Sequence, residues 1–335
     1  MSGTFDWRTG TQIVTGAAGF LGANLCRALL SRGARVVCID NLVAGSLRNL
    51  AELQADPHFE FRRGDAAEIL ARGGKYGSER ASVVWAMAAL ASPVAYFAKP
   101  LDTIWAGADA QRVALEFAAD AGARFMAFSS SEVYSTAPAN KIPTPETYVG
   151  NVNSMGLRAP YDIGKLYIEA LSMVFARSCG LDVRIVRPFN VYGPFSKLDD
   201  GRMVPAFLRS AMRGEPLVVH GDGAQTRSLV YVEDFIDVLL RVAAVPAAKI
   251  DREFPVYNLG NPDERSVMDV ATACWRAVHG PSAAPKIKSA PRPPGDPDRR
   301  CPDVSRAVAL TDWRPRTTLE DGVAKTLTWF QTQKG

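Results

Sequence analysis

The sequence predicts an α/β protein. The expected fold is a Rossmann-type, doubly wound parallel sheet with helices on both faces, joined to a smaller mixed α/β part. Three observations carry this. Gly16, Gly19 and Gly22 follow a β-branched run, Ile13-Val14-Thr15, and open a helix-forming stretch over 21–30, the strand–turn–helix of a dinucleotide site. Short apolar runs and helical patterns then alternate in a βαβαβ rhythm, which implies parallel strands covered on both faces. Past residue 188 prolines and turns become frequent and the elements shorten. The expected division is therefore 1–187 and 188–335, with some later elements returning to the first part.

Each element has a local reason. In the first turn, one glycine permits the tight bend, the next lets backbone approach a pyrophosphate, and the third lets helix pack on strand. Phe20 and Leu21 belong to the same seat. The second strand, Ala34–Ile39, ends at Asp40-Asn41, about 20 residues past the glycines, where a carboxylate meets a ribose hydroxyl. A carboxylate there repels a 2′-phosphate, so NAD is expected rather than NADP; a plain turn cap is the alternative for Asp40. Phe59–Phe61 is the third strand and leads to Gly64-Asp65-Ala66; Val83–Trp85 is the fourth and leads to Met87-Ala88. A helix spans about 101–121. Phe125–Phe128 is the fifth strand and ends in three serines, 129–131.

The helix from Tyr161 to Cys179 carries two apolar stripes, Leu166/Ala170/Met173/Val174 and Ile163/Tyr167/Leu171/Phe175. One should cover the sheet and the other a second copy of the chain, so a homodimer through about 101–121 and 161–179 is expected. Val183–Val186 is the sixth strand. Beyond it come a helix at Met203–Arg213, a strand at Leu217–Val219, a helix at Val232–Ala244, a short strand at Val256-Tyr257 and a serine-capped helix at Ser266–Val278. This half is expected to lie over the carboxyl edge of the sheet and supply a substrate lid.

At 335 residues and 47% apolar composition the chain can bury a full core. A net charge of +4, scattered along the chain, is no nucleic-acid footprint. No apolar run reaches a membrane span, and the opening Met1–Trp7 stretch lacks the profile of a signal peptide. The five cysteines (26, 38, 179, 274, 301) are widely spread without metal-ligand spacing. They read as reduced, mostly buried thiols of a cytoplasmic protein that uses no metal.

Tyr161 and Lys165 sit at i and i+4 on one helix face. A positive charge beside a phenol favours phenolate, so Tyr161 is expected to take a hydroxyl proton while hydride leaves the same carbon. Ser130 is placed to hydrogen-bond that hydroxyl.

Four stretches together, Gly16-Ala-Ala-Gly-Phe-Leu-Gly22, Ser129-Ser-Ser-Glu-Val-Tyr134, Tyr161-x-x-x-Lys165 and Arg187-Pro-Phe-Asn-Val-Tyr-Gly-Pro194, resemble the extended short-chain dehydrogenase/reductase family that acts on nucleotide sugars. Gly156–Lys165, Asp200–Val204, Gly214–Leu217 with Gln225–Arg227, and Asp296–Asp303 are most similar to its UDP-glucuronate decarboxylases, or UDP-xylose synthases.

The resemblance implies UDP-glucuronate as substrate, with Ser130, Tyr161 and Lys165 serving redox at the sugar C4. It implies Glu132 beside C5 and Arg300 facing the sugar carboxylate. Tyr96, Arg158, Asn190, Val204 and Arg227 match substrate contacts. Asp40, Asn41, Asp65, Ala66, Met87 and Ala88 match cofactor contacts. A 4-ketone lies β to the C5 carboxylate, so carbon dioxide can leave from it. Two positions depart from the family pattern: Ser135 replaces a glycine and Ala86 a histidine. Weaker retention of the reduced cofactor, with some 4-keto product escaping, is the expected consequence. A nucleotide-sugar 4,6-dehydratase or 4-epimerase, and a non-catalytic dinucleotide sensor, are the alternatives.

Overall fold

The computed structural model describes residues 5–72, 80–293 and 295–333. Met1–Thr4 of the opening stretch lie outside them. In chain order, β1 (Thr11–Thr15), α1 (Phe20–Leu30), β2 (Arg35–Asp40), β3 (Phe59–Arg63), α2 (Ala66–Ala71) and β4 (Ala81–Ala86) form the first half-sheet. Then come α3 (Pro93–Ala98), α4 (Pro100–Ala121), β5 (Arg124–Phe128), α5 (Ala159–Cys179) and β6 (Val183–Pro188). The later elements begin with β7 (Val191–Tyr192), α6 (Met203–Met212), β8 (Leu217–His220), β9 (Thr226–Ser228), β10 (Val230–Tyr231) and α7 (Val232–Ala244). They end with β11 (Val256–Leu259), β12 (Glu264–Ser266), α8 (Val267–His279), β13 (Ile287–Ala290), β14 (Arg299–Arg300), α9 (Ser305–Thr311) and α10 (Leu319–Thr332).

The main sheet has seven strands in the order β11-β6-β5-β4-β1-β2-β3, and every pairing in it is parallel. Strand side chains alternate between two buried layers, as the period of two requires. Val14, Val36, Cys38, Val83 and Trp85 face one apolar cluster. Ile13, Val37, Ile39, Val84 and Ala86 face the other. Burial on both faces explains why these strands read as unbroken apolar runs. The strand read as Val256-Tyr257 is the edge strand of this sheet. It pairs with β6 from Val256↔Ile185 to Leu259↔Pro188.

The faces of α5 differ from the sequence expectation. Its most buried residues are Asp162, Gly164, Lys165, Ile168 and Ser172, which lie between the two apolar stripes. Tyr167 and Val174 are exposed. The reason is the crossing with α4: a Cβ placed on Gly107 would stand 2.9 Å from the Cα of Gly164. Two glycines let the helix backbones approach, so the buried seam is made of small residues rather than a hydrophobic stripe. Three small sheets, β12-β9-β14, β8-β13 and β7-β10, complete the chain.

Candidate active site

The carboxyl ends of parallel strands share one edge, and strand order reverses between β1 and β4. Such switch points are where open α/β sheets bind ligands. A cavity of about 1710 Å3 opens there. Ligand pockets usually measure ~300–1,000 Å3, so this cavity has room for more than one small ligand. All the site residues named from sequence line it: Gly16, Gly19, Phe20, Leu21, Gly22, Asp40, Asn41, Asp65, Ala66, Met87, Ala88, Tyr96, Ser130, Glu132, Arg158, Tyr161, Lys165, Asn190, Val204, Arg227 and Arg300.

The glycine turn is built as its spacing suggests. Gly16 has φ +69°, and a Cβ there would lie 3.0 Å from the Ala88 backbone. A Cβ on Gly22 would lie 2.4 Å from the carbonyl oxygen of Gly16, so α1 could not seat on the turn. Asp40 is buried, and its two carboxylate oxygens accept from the amides of Ala18 (2.9 Å) and Leu42 (2.7 Å). It therefore ties the glycine turn to the next loop while still lining the cavity. Asp65 caps α2 by accepting from Ala67 N at 2.8 Å. Thr15 Oγ1 accepts from the amides of Met87 (3.1 Å) and Ala88 (3.2 Å), joining the ends of β1 and β4.

The chemical half centres on the first turn of α5. Tyr161 is hydrogen-bonded to Ser130, yet burial pushes its phenol up to about 12. The expectation that Lys165 lowers it is not met. Lys165 Nζ lies 5.6 Å from the Tyr161 ring centroid and donates at 2.7 Å to the carbonyl of Phe128. Burial pushes the ammonium down to about 8. The Tyr96 ring stacks on Tyr161 with centroids 5.4 Å apart.

Glu132, in the turn after β5, is held between two arginines. One carboxylate oxygen pairs with Arg300 and the other with Arg158 at 2.6 Å. Burial pushes this carboxyl up, but the two guanidiniums outweigh burial and hold it below the usual range. Arg300 reaches this position because β14 pairs with β9, Arg300 beside Arg227. Arg227 donates to the carbonyls of Thr226 (2.7 Å) and Pro297 (2.9 Å) and pairs with Asp296. Its guanidinium is thus braced within the loop that carries Arg300. Asn190 sits at φ +33° with a buried amide nitrogen that has no partner among the described residues.

The model of the NAD dependent epimerase/dehydratase family matches residues 12–260. The chain belongs to that family. UDP-glucuronic acid decarboxylase 1 of Arabidopsis thaliana is 38% identical to this epimerase/dehydratase family member over 321 residues, 96% of this chain and 70% of the relative. Among solved structures, UDP-glucose 4-epimerase of Thermotoga maritima superposes with a TM-score of 0.83 at 26% identity, covering 97% of this chain and all of that one. The dTDP-glucose 4,6-dehydratase of Streptomyces venezuelae, solved with NAD, gives 0.82 at 26% identity, covering 97% and 98%.

NAD is the cofactor of this family, and this chain's residues fit it. Gly16, Gly19 and the start of α1 offer backbone to a pyrophosphate, and a Cβ on Gly19 would meet only the Gly16 carbonyl within 4 Å. Asp40 stands at the end of β2, where the motif places a ribose.

Two site features were not singled out from the family member's sequence. Asp162 lines the cavity with a buried, unpartnered carboxylate oxygen. An acid in a helix first turn reads as a dipole partner, and nothing local distinguishes it. Gln225 donates to the His220 carbonyl at 2.7 Å and leaves its own Oε1 buried without a partner among the described residues. It lay inside a family-like stretch, but its burial depends on β8 and β9 meeting.

Proposed function

We propose that the protein is a UDP-glucuronate decarboxylase that forms UDP-xylose through a 4-keto intermediate, with residues 1–187 holding NAD and 188–335 the nucleotide sugar. The observation that carries the reading is Arg300 standing against Glu132 in the cavity that also holds Tyr161 and Lys165. An epimerase or dehydratase acting on a neutral hexose has no carboxylate for such an arginine to meet. The similarity to UDP-glucuronic acid decarboxylase 1 supports the same reading.

NAD, when bound, supplies reversible hydride acceptance at the sugar C4. Tyr161 takes the C4 hydroxyl proton, and Ser130 holds that oxygen by hydrogen bonding. Lys165, anchored to the Phe128 carbonyl, lines the cavity beside Tyr161 and would help to hold the cofactor there. Arg300 takes the sugar carboxylate, a bidentate geometry suited to guanidinium. The hold serves placement, because a stronger grip on the ground-state carboxylate would slow its loss. Once carbon dioxide leaves, the ketone carries the negative charge as an enolate. Glu132 then stands beside C5, the carbon that must gain a proton. Tyr96 and Arg158 frame the sugar; Asn190, Val204 and Arg227 line the nucleotide end.

The protein acts as a homodimer in this reading, through α4 and α5. Exposed Leu101, Trp105, Tyr167 and Val174 support that face. A cytoplasmic location accords with four buried cysteines held as free thiols. Among the described residues, no helix is long and apolar enough to cross a membrane.

Incubating the purified protein with UDP-glucuronate and NAD tests the function directly. The expected products are carbon dioxide and UDP-xylose by mass, both lost in Arg300→Ala. Turnover of UDP-glucose but not UDP-glucuronate would overturn the proposal.

A further inference from the structure

Decarboxylation consumes a proton. The ionised sugar acid loses carbon dioxide, and its C5–C bond is replaced by C5–H. Some group in the cavity has to supply that proton, and the charge balance of the site points to one. Four charged side chains meet beside Tyr161: Glu132 from the turn after β5, Arg300 from β14, and Arg158 and Asp162 at the start of α5. Glu132 bridges both arginines. Asp162 takes second place: its nearer oxygen lies 3.7 Å from Arg158 Nε, while Oδ1 is buried with no partner among the described residues. The residue is 9% exposed. The groups facing it are Arg158 and Tyr161 on its own helix, Glu132, Tyr96 of α3 and Arg300.

With all four ionised, two guanidiniums serve two carboxylates, while the Lys165 ammonium is turned to the Phe128 carbonyl. A sugar carboxylate arriving at Arg300 competes with Glu132 for that guanidinium and adds one negative charge to a half-buried site. Such a charge is relieved by protonating the acid with the poorest hydrogen bonding. We propose that Asp162 takes up a proton when the carboxylated sugar binds, and holds it for the step in which C5 gains one. The inference rests on the decarboxylase reading. Its proton balance closes: one proton enters from solvent with the substrate, is held on Asp162, and ends in the new C5–H bond. No oxidant or reductant beyond NAD is required. Burial pushes the Asp162 carboxyl up to about 6, with Arg158 opposing and Glu132 adding to the shift, so the group is close to accepting a proton near neutral pH.

Calorimetry on the NAD-loaded Tyr161→Phe protein, expected to bind without turning over, tests this. UDP-glucuronate is titrated near pH 7 in phosphate and in Tris, whose ionisation enthalpies differ, with UDP-glucose, which lacks the sugar carboxylate, as the comparison. The expected result is uptake of more than half a proton with UDP-glucuronate and close to none with UDP-glucose. Adding Asp162→Asn should remove the uptake while binding persists. Asp162→Ser serves as a second variant should the amide fold poorly. Uptake that survives in both would move the proton to Glu132 and overturn the assignment to Asp162. Binding of UDP-glucuronate without uptake would overturn the inference and leave the decarboxylase reading standing. Failure of UDP-glucuronate to bind while UDP-glucose binds would overturn that reading, and the inference with it.

Discussion

Ser135 occupies a backbone position suited to glycine, and replacing it should stabilise the protein. It ends the turn that carries Glu132, with φ +53° and ψ −131°, a combination that crowds any Cβ. A non-glycine residue held in such a region costs ~1–3 kcal/mol. The bond made there, from Ser135 N to the Glu132 carbonyl at 2.9 Å, is backbone only and survives the change. Against the gain stands the greater freedom of glycine in the unfolded chain, ~0.5–1 kcal/mol. The net expectation for Ser135→Gly is a stabilisation of about 0.5–2 kcal/mol. For 335 residues, an unfolding entropy of ~2.1 cal/mol/K per residue amounts to about 0.7 kcal/mol/K, so Tm should rise by about 1–3 °C. Differential scanning calorimetry of both proteins at one NAD concentration measures it. A fall in Tm would refute the reasoning, since it would mean that the serine hydroxyl holds the turn more than its backbone strains it.

Three further outcomes follow from the same geometry. Tyr161→Phe should abolish turnover while NAD binding, followed by calorimetry, stays within about threefold; retained turnover would remove Tyr161 from the chemistry. Lys165 should weaken the fold that it serves. Its folded pKa of about 8 lies below the ordinary lysine value of ~10.4, so the unfolded chain binds more protons between these limits and stability should rise as pH climbs through that window. Lys165→Met should be inactive, lack this rise in urea titrations, and gain on the order of 1–2 kcal/mol at pH 7 even after leaving the Phe128 carbonyl without its donor. Gly107→Val would drive side chain into the Gly164 backbone. A loss of about 2–3 kcal/mol is expected, together with a lower kcat because the start of α5 shifts; an unchanged urea midpoint would show that the helices are not in such close contact.

What could be read from the sequence divides along physical lines. The glycine turn, Asp40 and the Tyr161–Lys165 pair were legible because each is local: a few residues fix the strand, turn or helix that presents them. The seven-residue reach from Gly16 to Gly22 already contained its own packing reasons. Arg300 was legible only through resemblance, since its meeting with Glu132 joins residues 168 positions apart by way of the two-residue strand β14. Strands that short leave no periodicity to detect. The buried seam of α5 was misread because apolar stripes signal burial by size, whereas the contact with α4 is made by removing side chains at Gly107 and Gly164. Tyr161 was expected to be acidified by its lysine; the sequence could not reveal that the ammonium donates to the Phe128 carbonyl or that desolvation raises the phenol.

The pairing of β11 with β6 has a consequence for how the protein is made. As the chain leaves the ribosome, six of the seven central strands are complete by Pro188, but the edge of β6 has no neighbour until Leu259 emerges. At ~5–20 residues per second that interval lasts several seconds, and an open apolar edge invites pairing with other nascent chains. A shield for that edge during synthesis, by a chaperone or by slow expression, should raise the soluble yield more than changes at either terminus.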